Sequence, residues 1–314
     1  MDISVVVTSI TVMGLLMLIG SLFAYKVHIT EETKHVLIQI IINVGIPSII
    51  LNGVFKTESM DLLLNQVYIV FGLSIVFHTI ALFVSWMFAQ LFRFESIFAK
   101  KMAILSAFGN TGFIGIPICT TLFGPTGGLL AAIFDAGIDI VFFTIVVFML
   151  QSGARFDIRQ FKSLLNLPVL AIVVGLSIAF IGYEPPAFVK QLTGMLSGLV
   201  TPLAMLYTGM LLPPLFQQQK MFFYPQIGFP LAMRLLIIPI MTMLAMSVTP
   251  FDPLIKNLIT ILSAMPTLMM AAILFSRYTT GDEDKAVLTT VYSTLLSLLT
   301  LPFISLLVVW WGLI

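Results

Sequence analysis

Apolar residues gather into ten stretches, and the polar positions between them are few. The stretches run over 3–25, 36–55, 62–92, 102–123, 128–150, 168–182, 194–216, 227–248, 253–275 and 286–313. A helix needs about 20 mainly apolar residues to cross a bilayer, and nearly all of these reach that length. The sixth, Pro168 to Gly182, is the shortest and runs on into Tyr183-Glu184-Pro185-Pro186; Ala187 to Gly198 then leads into the seventh. The one long polar interval is Gln151 to Asn166. The pattern predicts an all-α polytopic membrane protein of about ten transmembrane helices. The first stretch lacks a basic start, and no small-residue cleavage site follows Leu22-Phe23-Ala24-Tyr25, so it reads as a retained span rather than a signal peptide.

Two spans carry residues that a lipid-facing helix does not want. The fourth contains Ala107-Phe108-Gly109-Asn110-Thr111-Gly112-Phe113-Ile114-Gly115-Ile116-Pro117, and the ninth contains Ser263-Ala264-Met265-Pro266-Thr267. Glycines and prolines there interrupt backbone hydrogen bonding at membrane depth. Such a break persists only where protein or a water-filled cavity offers new partners. A pair of interrupted helices in corresponding halves points to the binding site of a secondary transporter. Helix breaks are expected at Pro47, Pro117, Pro202 and Pro266.

Composition narrows the field. The chain of 314 residues is 59% hydrophobic and 9% charged, with mean hydropathy +1.11. No soluble domain of this size has that balance. The formal net charge of +1 gives no reason to expect nucleic acid as a partner. A single cysteine, Cys119, excludes an internal disulfide framework and reads as a packing thiol. No cofactor or metal-ligand motif is present.

Charge sets the expected orientation. Lys26, Lys34, Arg93, Lys100, Lys101, Arg155, Arg159, Lys162, Lys220, Arg277 and Lys285 fall on one set of alternate loops; Lys56, Lys190 and Lys256 fall on the other. Basic residues stay cytoplasmic. Both termini are therefore expected outside, in a plasma membrane (the inner membrane of a bacterium). Trp310-Trp311 reads as an interfacial anchor.

Ten spans divide as five plus five: a first repeat over 1–150, a cytoplasmic linker over 151–167 and a second repeat over 168–314. An odd number of spans per half inserts the second half upside down. Weak matches support a duplication. Pro47 and Pro202 are 155 apart, His78 and Arg234 are 156 apart, and Asn110 and Thr267 are 157 apart.

The run Asn110-Thr111-Gly112-Phe113-Ile114-Gly115-Ile116-Pro117 resembles the Asn-Thr-x-x-x-Gly-Ile-Pro element of the auxin efflux carrier family, which includes plant PIN carriers and bacterial malate or malonate permeases. Ala264-Met265-Pro266-Thr267 is similar to that family's proline-containing ninth helix, and Ser293 to Pro302 resembles the closing stretch of bacterial members. The resemblance implies a ten-helix inverted repeat like that of bile acid:sodium symporters, with broken helices four and nine crossing at the site. Plant members carry a proline where this chain has Gly109, and many have a long central loop that is absent here. Both departures favour the bacterial branch.

The candidate substrate site comprises Gly109, Asn110, Thr111, Ser263, Pro266 and Thr267, with Asn43 of the second span lining the cavity. An amide, a hydroxyl and the free N–H groups of a helix start suit a carboxylate; the plainer reading is that Asn110 and Thr111 only cap the break. Asp135 and Asp139 lie four apart on one helix face. Counted from Gly128, Asp139 lies about 16 Å deep and Asp135 about 10 Å. Two carboxylates one turn apart at such depth require a proton on one of them or a cation between them, so they are the candidate ion-coupling pair, with Asp139 the nearer to the expected crossing; the plainer reading is a structural cap on the unwound backbone of the fourth or ninth span. Arg234 reads foremost as a snorkelling side chain, with pairing to Asp135 or Asp139, or attraction of an anionic substrate, as the alternatives. His78 reads as a packing histidine or a proton relay.

The expected function is a secondary transporter of small organic anions, working by alternating access with a proton, or alternatively sodium or no ion, as coupling partner, and as a homodimer. A channel would need a continuous polar lining. An intramembrane aspartyl protease needs aspartates on separate helices, and a metalloprotease needs His-Glu-x-x-His. None of these is present, so no enzyme activity is expected.

Overall fold

The structure, a computed structural model, describes residues 3–27, 29–57, 59–150, 166–213, 224–278 and 281–310. These residues are helical almost throughout. The interval 151–165, with Arg155, Arg159 and Lys162, lies outside the described residues, as do Lys220 and Trp311. The helices are α1 (Ile3–Lys26), α2 (Glu31–Phe55), α3 (Met60–Leu91), α4 (Ser96–Ala107), α5 (Thr111–Leu150), α6 (Leu167–Phe180), α7 (Ala187–Met210), α8 (Pro225–Ser247), α9 (Pro253–Ser263), α10 (Ala271–Tyr278) and α11 (Glu283–Trp310). Among the described residues seven helices are long and apolar enough to cross a membrane; α6 and α9 are apolar but shorter. The chain is an all-α polytopic membrane protein.

Local chemistry sets where helices start and turn. Thr30 caps α2, its hydroxyl accepting from the Thr33 N–H at 3.2 Å, with Glu31 and Glu32 in the first turn. Asn166 caps α6 through the Val169 N–H at 2.9 Å, and Asp252 caps α9 through the Leu254 N–H at 2.7 Å. Helix α5 is folded sharply at Gly124, whose φ of +72° suits glycine, with Pro125 next. This divides the 40-residue run into arms 111–123 and 125–150, near the predicted boundary between the fourth and fifth spans.

Two of the expected prolines, Pro47 and Pro117, share one device with Pro239. Each Ile-Pro pair, Ile46-Pro47, Ile116-Pro117 and Ile238-Pro239, follows a wide π turn: Ile41–Gly45, Thr111–Gly115 and Met233–Ile237. Proline lacks an N–H and crowds the preceding turn, and a wide turn relieves both. In α2 the Ile46 N–H reaches back five residues to the Ile41 carbonyl, and in α8 the Ile238 N–H reaches Met233. Pro47 and Pro117 therefore widen their helices without breaking them. Pro202 lies inside the regular helix α7. Of the four prolines expected at breaks, Pro266 alone sits in one.

The chain forms two compact units. One comprises Met1–Tyr68, Gly112–Ile133 and Leu165–Met221, and the other Ile69–Thr111, Phe134–Leu164 and Phe222–Ile314. In the first unit α1 and α7 run antiparallel at backbone contact. A Cβ at Gly20 would overlap the Leu206 carbonyl, and one at Gly209 would overlap that of Met17. Close backbone approach through small residues is how helices gain packing energy in lipid, where no hydrophobic force drives them together. Ile49, Ile50, Leu129, Leu130, Val200 and Met205 fill this unit's core. The second unit is packed around aromatic side chains: Phe108 lies edge-on to Phe142 at 5.4 Å, and Phe134, Phe142 and Phe275 are all fully buried.

The second unit also holds a buried ionic latch. Lys101 of α4 is 2% exposed and donates to the Gly281 carbonyl at 2.8 Å and to Asp282 Oδ2 at 2.9 Å. Lys285 donates to Asp282 Oδ1 at 2.6 Å and lies over the Phe98 ring at 4.7 Å. Burial alone would raise the Asp282 carboxyl, but the hydrogen bonds from Lys285 and Lys101 outweigh it and hold the group below its ordinary value of 3.8.

Two outcomes follow. Gly20→Val is expected to push α1 off α7 and lower thermal stability, whereas Gly72→Val, where a Cβ meets open space, is expected to leave it unchanged; equal melting temperatures for the two variants would contradict the packing. Asp282→Asn is expected to cost on the order of 2 kcal/mol at neutral pH, because it strips Lys101 of its charged partner. The folded carboxyl is the stronger acid, so its contribution is fully present above pH 3.8 and fades as pH falls through the lower folded value. The difference in melting temperature between wild type and variant should therefore shrink below pH 3.8; a difference that grows on acidification would refute it.

Candidate functional site

The interrupted helices meet within the second unit. Helix α4 stops at Ala107, and Phe108 turns into extended backbone with φ −104° and ψ 123°. Helix α9 stops at Ser263, and Pro266, without an N–H, bars its continuation until α10 starts at Ala271. The two freed segments pair antiparallel. Asn110 N–H donates to the Pro266 carbonyl at 2.7 Å, Leu268 N–H donates to the Phe108 carbonyl at 3.0 Å, and Gly109 faces Thr267. Each break thereby supplies partners that the other lost.

Polar side chains crowd this junction. Asn110 is 3% exposed, and Thr111, Ser263 and Thr267 are fully buried. The Thr267 hydroxyl donates to the Leu105 carbonyl at 3.2 Å, and its N–H donates to Ser293 Oγ at 3.0 Å. Ser263 donates to the Thr260 carbonyl of its own helix at 2.6 Å. The Thr111 hydroxyl donates to the Asp135 carboxylate. Asp139, one turn further along α5, is half-buried. Spacing along the sequence puts Asp139 nearer the crossing; the structure gives that position to Asp135, because Thr111 is the first residue beyond the break. Asn43 belongs to the first unit, where its amide donates to Gln39.

Arg234 differs from its expectation. It does not snorkel and it pairs with neither aspartate. It is fully buried, and its Nε donates to the Met265 carbonyl at 2.7 Å, one terminal nitrogen to Ala107 at 2.9 Å and the other to Leu262 at 3.3 Å. These carbonyls lie at or beside the ends of α4 and α9, where helical partners run out. The wide turn Met233–Ile237 contains Arg234.

His78 of α3 is also fully buried. Its Nδ1 donates to the Ser74 carbonyl at 2.7 Å, and its ring stacks on Phe108 at 5.6 Å. Ser74 Oγ donates to the Phe134 carbonyl at 2.5 Å, next to Asp135. Among the described residues His78 Nε2 has no hydrogen-bond partner. The packing reading of His78 fits these contacts. Ser74 and Ser293 were not foreseen. Thr289, Ser293 and Ser297 recur every fourth residue and are all buried, a polar stripe on α11 that the sequence displays.

The arrangement therefore offers an amide and hydroxyls at a backbone break, a carboxylate, Asp135, held by Thr111 with Asp139 one turn beyond it, and a guanidinium fastening the helix ends. Such a site suits recognition of a polar solute and carries no nucleophile–base constellation.

Known proteins resemble this chain over most of its length. The family model described as membrane transport protein matches residues 5–305. An uncharacterized transporter of Methanothermobacter thermautotrophicus is 25% identical over 291 residues, covering 92% of this chain and 94% of that protein. An uncharacterized transporter of Methanocaldococcus jannaschii is 25% identical over 261 residues, 79% of this chain and 81% of that protein. A putative malonate transporter of Rhizobium meliloti is 23% identical over 213 residues, 64% of this chain and 65% of that protein. The chain thus belongs to the membrane transport protein family, that of the auxin efflux carriers to which the Asn110–Pro117 element pointed, and is a transporter rather than an enzyme.

Proposed function

We propose that this chain is a secondary carrier of small organic anions, moving carboxylates such as malonate, malate or auxin-like acids across the plasma membrane by alternating access with proton coupling. The observation that carries the reading is the antiparallel pairing of two interrupted helices beside buried Asn110, Thr111 and Thr267. An uninterrupted bundle would satisfy its backbone more readily, so paired breaks at membrane depth call for a polar solute. A relative named as a putative malonate transporter supports a dicarboxylate.

In this reading ten passes form two inverted five-helix repeats, 1–150 and 168–314, joined by a cytoplasmic linker over 151–167. Both termini face outside, and two copies form a homodimer. Asn110 donates its amide to the substrate carboxylate, with Gly109, Thr111, Ser263, Pro266 and Thr267 shaping the site and Asn43 lining its approach. Asp135 and Asp139 carry the proton. Asp135 meets the site through Thr111, so its protonation and the conformation of the break are linked.

Counterflow in proteoliposomes tests the reading. Labelled malonate is expected to accumulate against an internal unlabelled pool, and Asn110→Ala is expected to weaken substrate affinity roughly ten- to a hundredfold, the loss of one hydrogen bond to a charged group at about 1.5–3 kcal/mol. Absence of counterflow with malonate, malate and an aromatic carboxylate alike would overturn the organic-anion reading; unchanged affinity would return Asn110 to a capping role.

The double variant Asp135→Asn/Asp139→Asn is expected to keep substrate exchange while abolishing the dependence of net flux on the pH gradient. A net flux whose pH dependence survives that substitution would remove the pair from coupling.

A further inference from the structure

A buried guanidinium normally stands against a carboxylate or phosphate. Among the described residues no carboxylate forms an ion pair with Arg234. Its partners are the carbonyls of Ala107, Leu262 and Met265. The first ends α4, the second lies in the last turn of α9 and the third just follows it. Carbonyls at the end of a helix carry the negative pole of its dipole and lack intrahelical donors. Two such ends converging at membrane depth require a cation or a set of donors. A planar guanidinium supplies both, with a fork of N–H groups that a compact ammonium lacks.

Gly109 is held to glycine by the same group. A Cβ built there would overlap the Arg234 guanidinium. An arginine tip on a protein surface would swing aside at little cost. This one is fully buried and bonded to three carbonyls, so displacing it takes the donor from those of Ala107 and Met265, while Leu262 keeps the Met265 N–H. The glycine directly before Asn110 is thus the counterpart of the arginine on α8. The two residues are 125 positions apart and sterically interlocked.

We propose that Arg234 is the internal cation of the junction: a positioning residue that occupies the carbonyl cage where a small mobile cation would otherwise be needed, and that requires glycine at position 109. Arg234 directs its hydrogen bonds to backbone and acts on the substrate site through the segment that carries Asn110. Only its transport consequence rests on the carrier reading above.

A double-mutant cycle in detergent tests this without any substrate, so its failure is separable from failure of that reading. Gly109→Ala and Arg234→Ala are each expected to lower the melting temperature by several degrees. In the Arg234→Ala background, Gly109→Ala is expected to cost nothing further, because the space beside the Cβ is then open. An equal penalty in both backgrounds would overturn the interlock. Methylguanidinium at millimolar concentration is expected to raise the melting temperature of Arg234→Ala and leave the wild type unmoved; no rescue, or the same response in both, would overturn the cation role. If Arg234→Ala yields no folded protein, Arg234→Lys replaces it. Gly109→Ala must then cost less beside lysine than beside arginine, and an equal or larger cost refutes the proposal. In proteoliposomes, methylguanidinium is expected to restore substrate exchange to the rescued variant, and rescue of stability without exchange would show that Arg234 does not position the site.

Discussion

Backbone N–H and C=O groups in a membrane interior have no water to turn to, and this constraint governs the second unit. Two helices stop mid-course, at Ala107 and Ser263, and each strands donors and acceptors that would cost several kcal/mol apiece if left unmet. The junction satisfies them in two ways. Extended residues 108–110 and 266–268 pair with each other, and Arg234 takes up the carbonyls that the pairing leaves. The Thr111 hydroxyl ties the junction to Asp135, the Thr267 hydroxyl ties it to α4, and the Thr267 N–H ties it to Ser293 of α11. The candidate site thus lies among backbone and hydroxyl groups that already have partners.

Prolines elsewhere are handled differently. Ile46-Pro47, Ile116-Pro117 and Ile238-Pro239 each follow a wide turn, so the helix continues while its register shifts. One of these turns starts at Thr111, directly beyond the break, and another holds Arg234. Two of these three wide turns therefore lie at the junction of the interrupted helices.

The helical, membrane-spanning character of the chain was legible in its apolar periodicity. So were the two breaks, because glycine, asparagine and proline clustered at membrane depth disrupt a plain lipid-facing helix. The element Asn110 to Pro117 also pointed to the right family. What escaped was mostly long-range. Nothing near position 234 in the sequence says that its partners are carbonyls at 107, 262 and 265, so an arginine one-third into a span read as a snorkelling side chain. Pro117 read as a break because proline is a strong local signal, yet the true interruption lies at 108–110, fixed by pairing with a distant segment. Asp135 and Asp139 were recognisable as a pair from their spacing, but which of them meets the junction depended on the fold at Thr111. Ser74 and Ser293 act through hydrogen bonds that composition alone does not single out.

The central claim is that a carboxylate substrate binds at the paired breaks, on Asn110. The most direct measurement is an electron cryomicroscopy map of the protein in lipid nanodiscs with saturating malonate, compared with one without it. The account predicts added density within hydrogen-bond distance of the Asn110 side chain, bordered by Thr111 and Thr267. Ligand density elsewhere, for example in the apolar groove that Leu73, Phe77, Met241 and Ile259 help to line, with the junction unchanged, would contradict it.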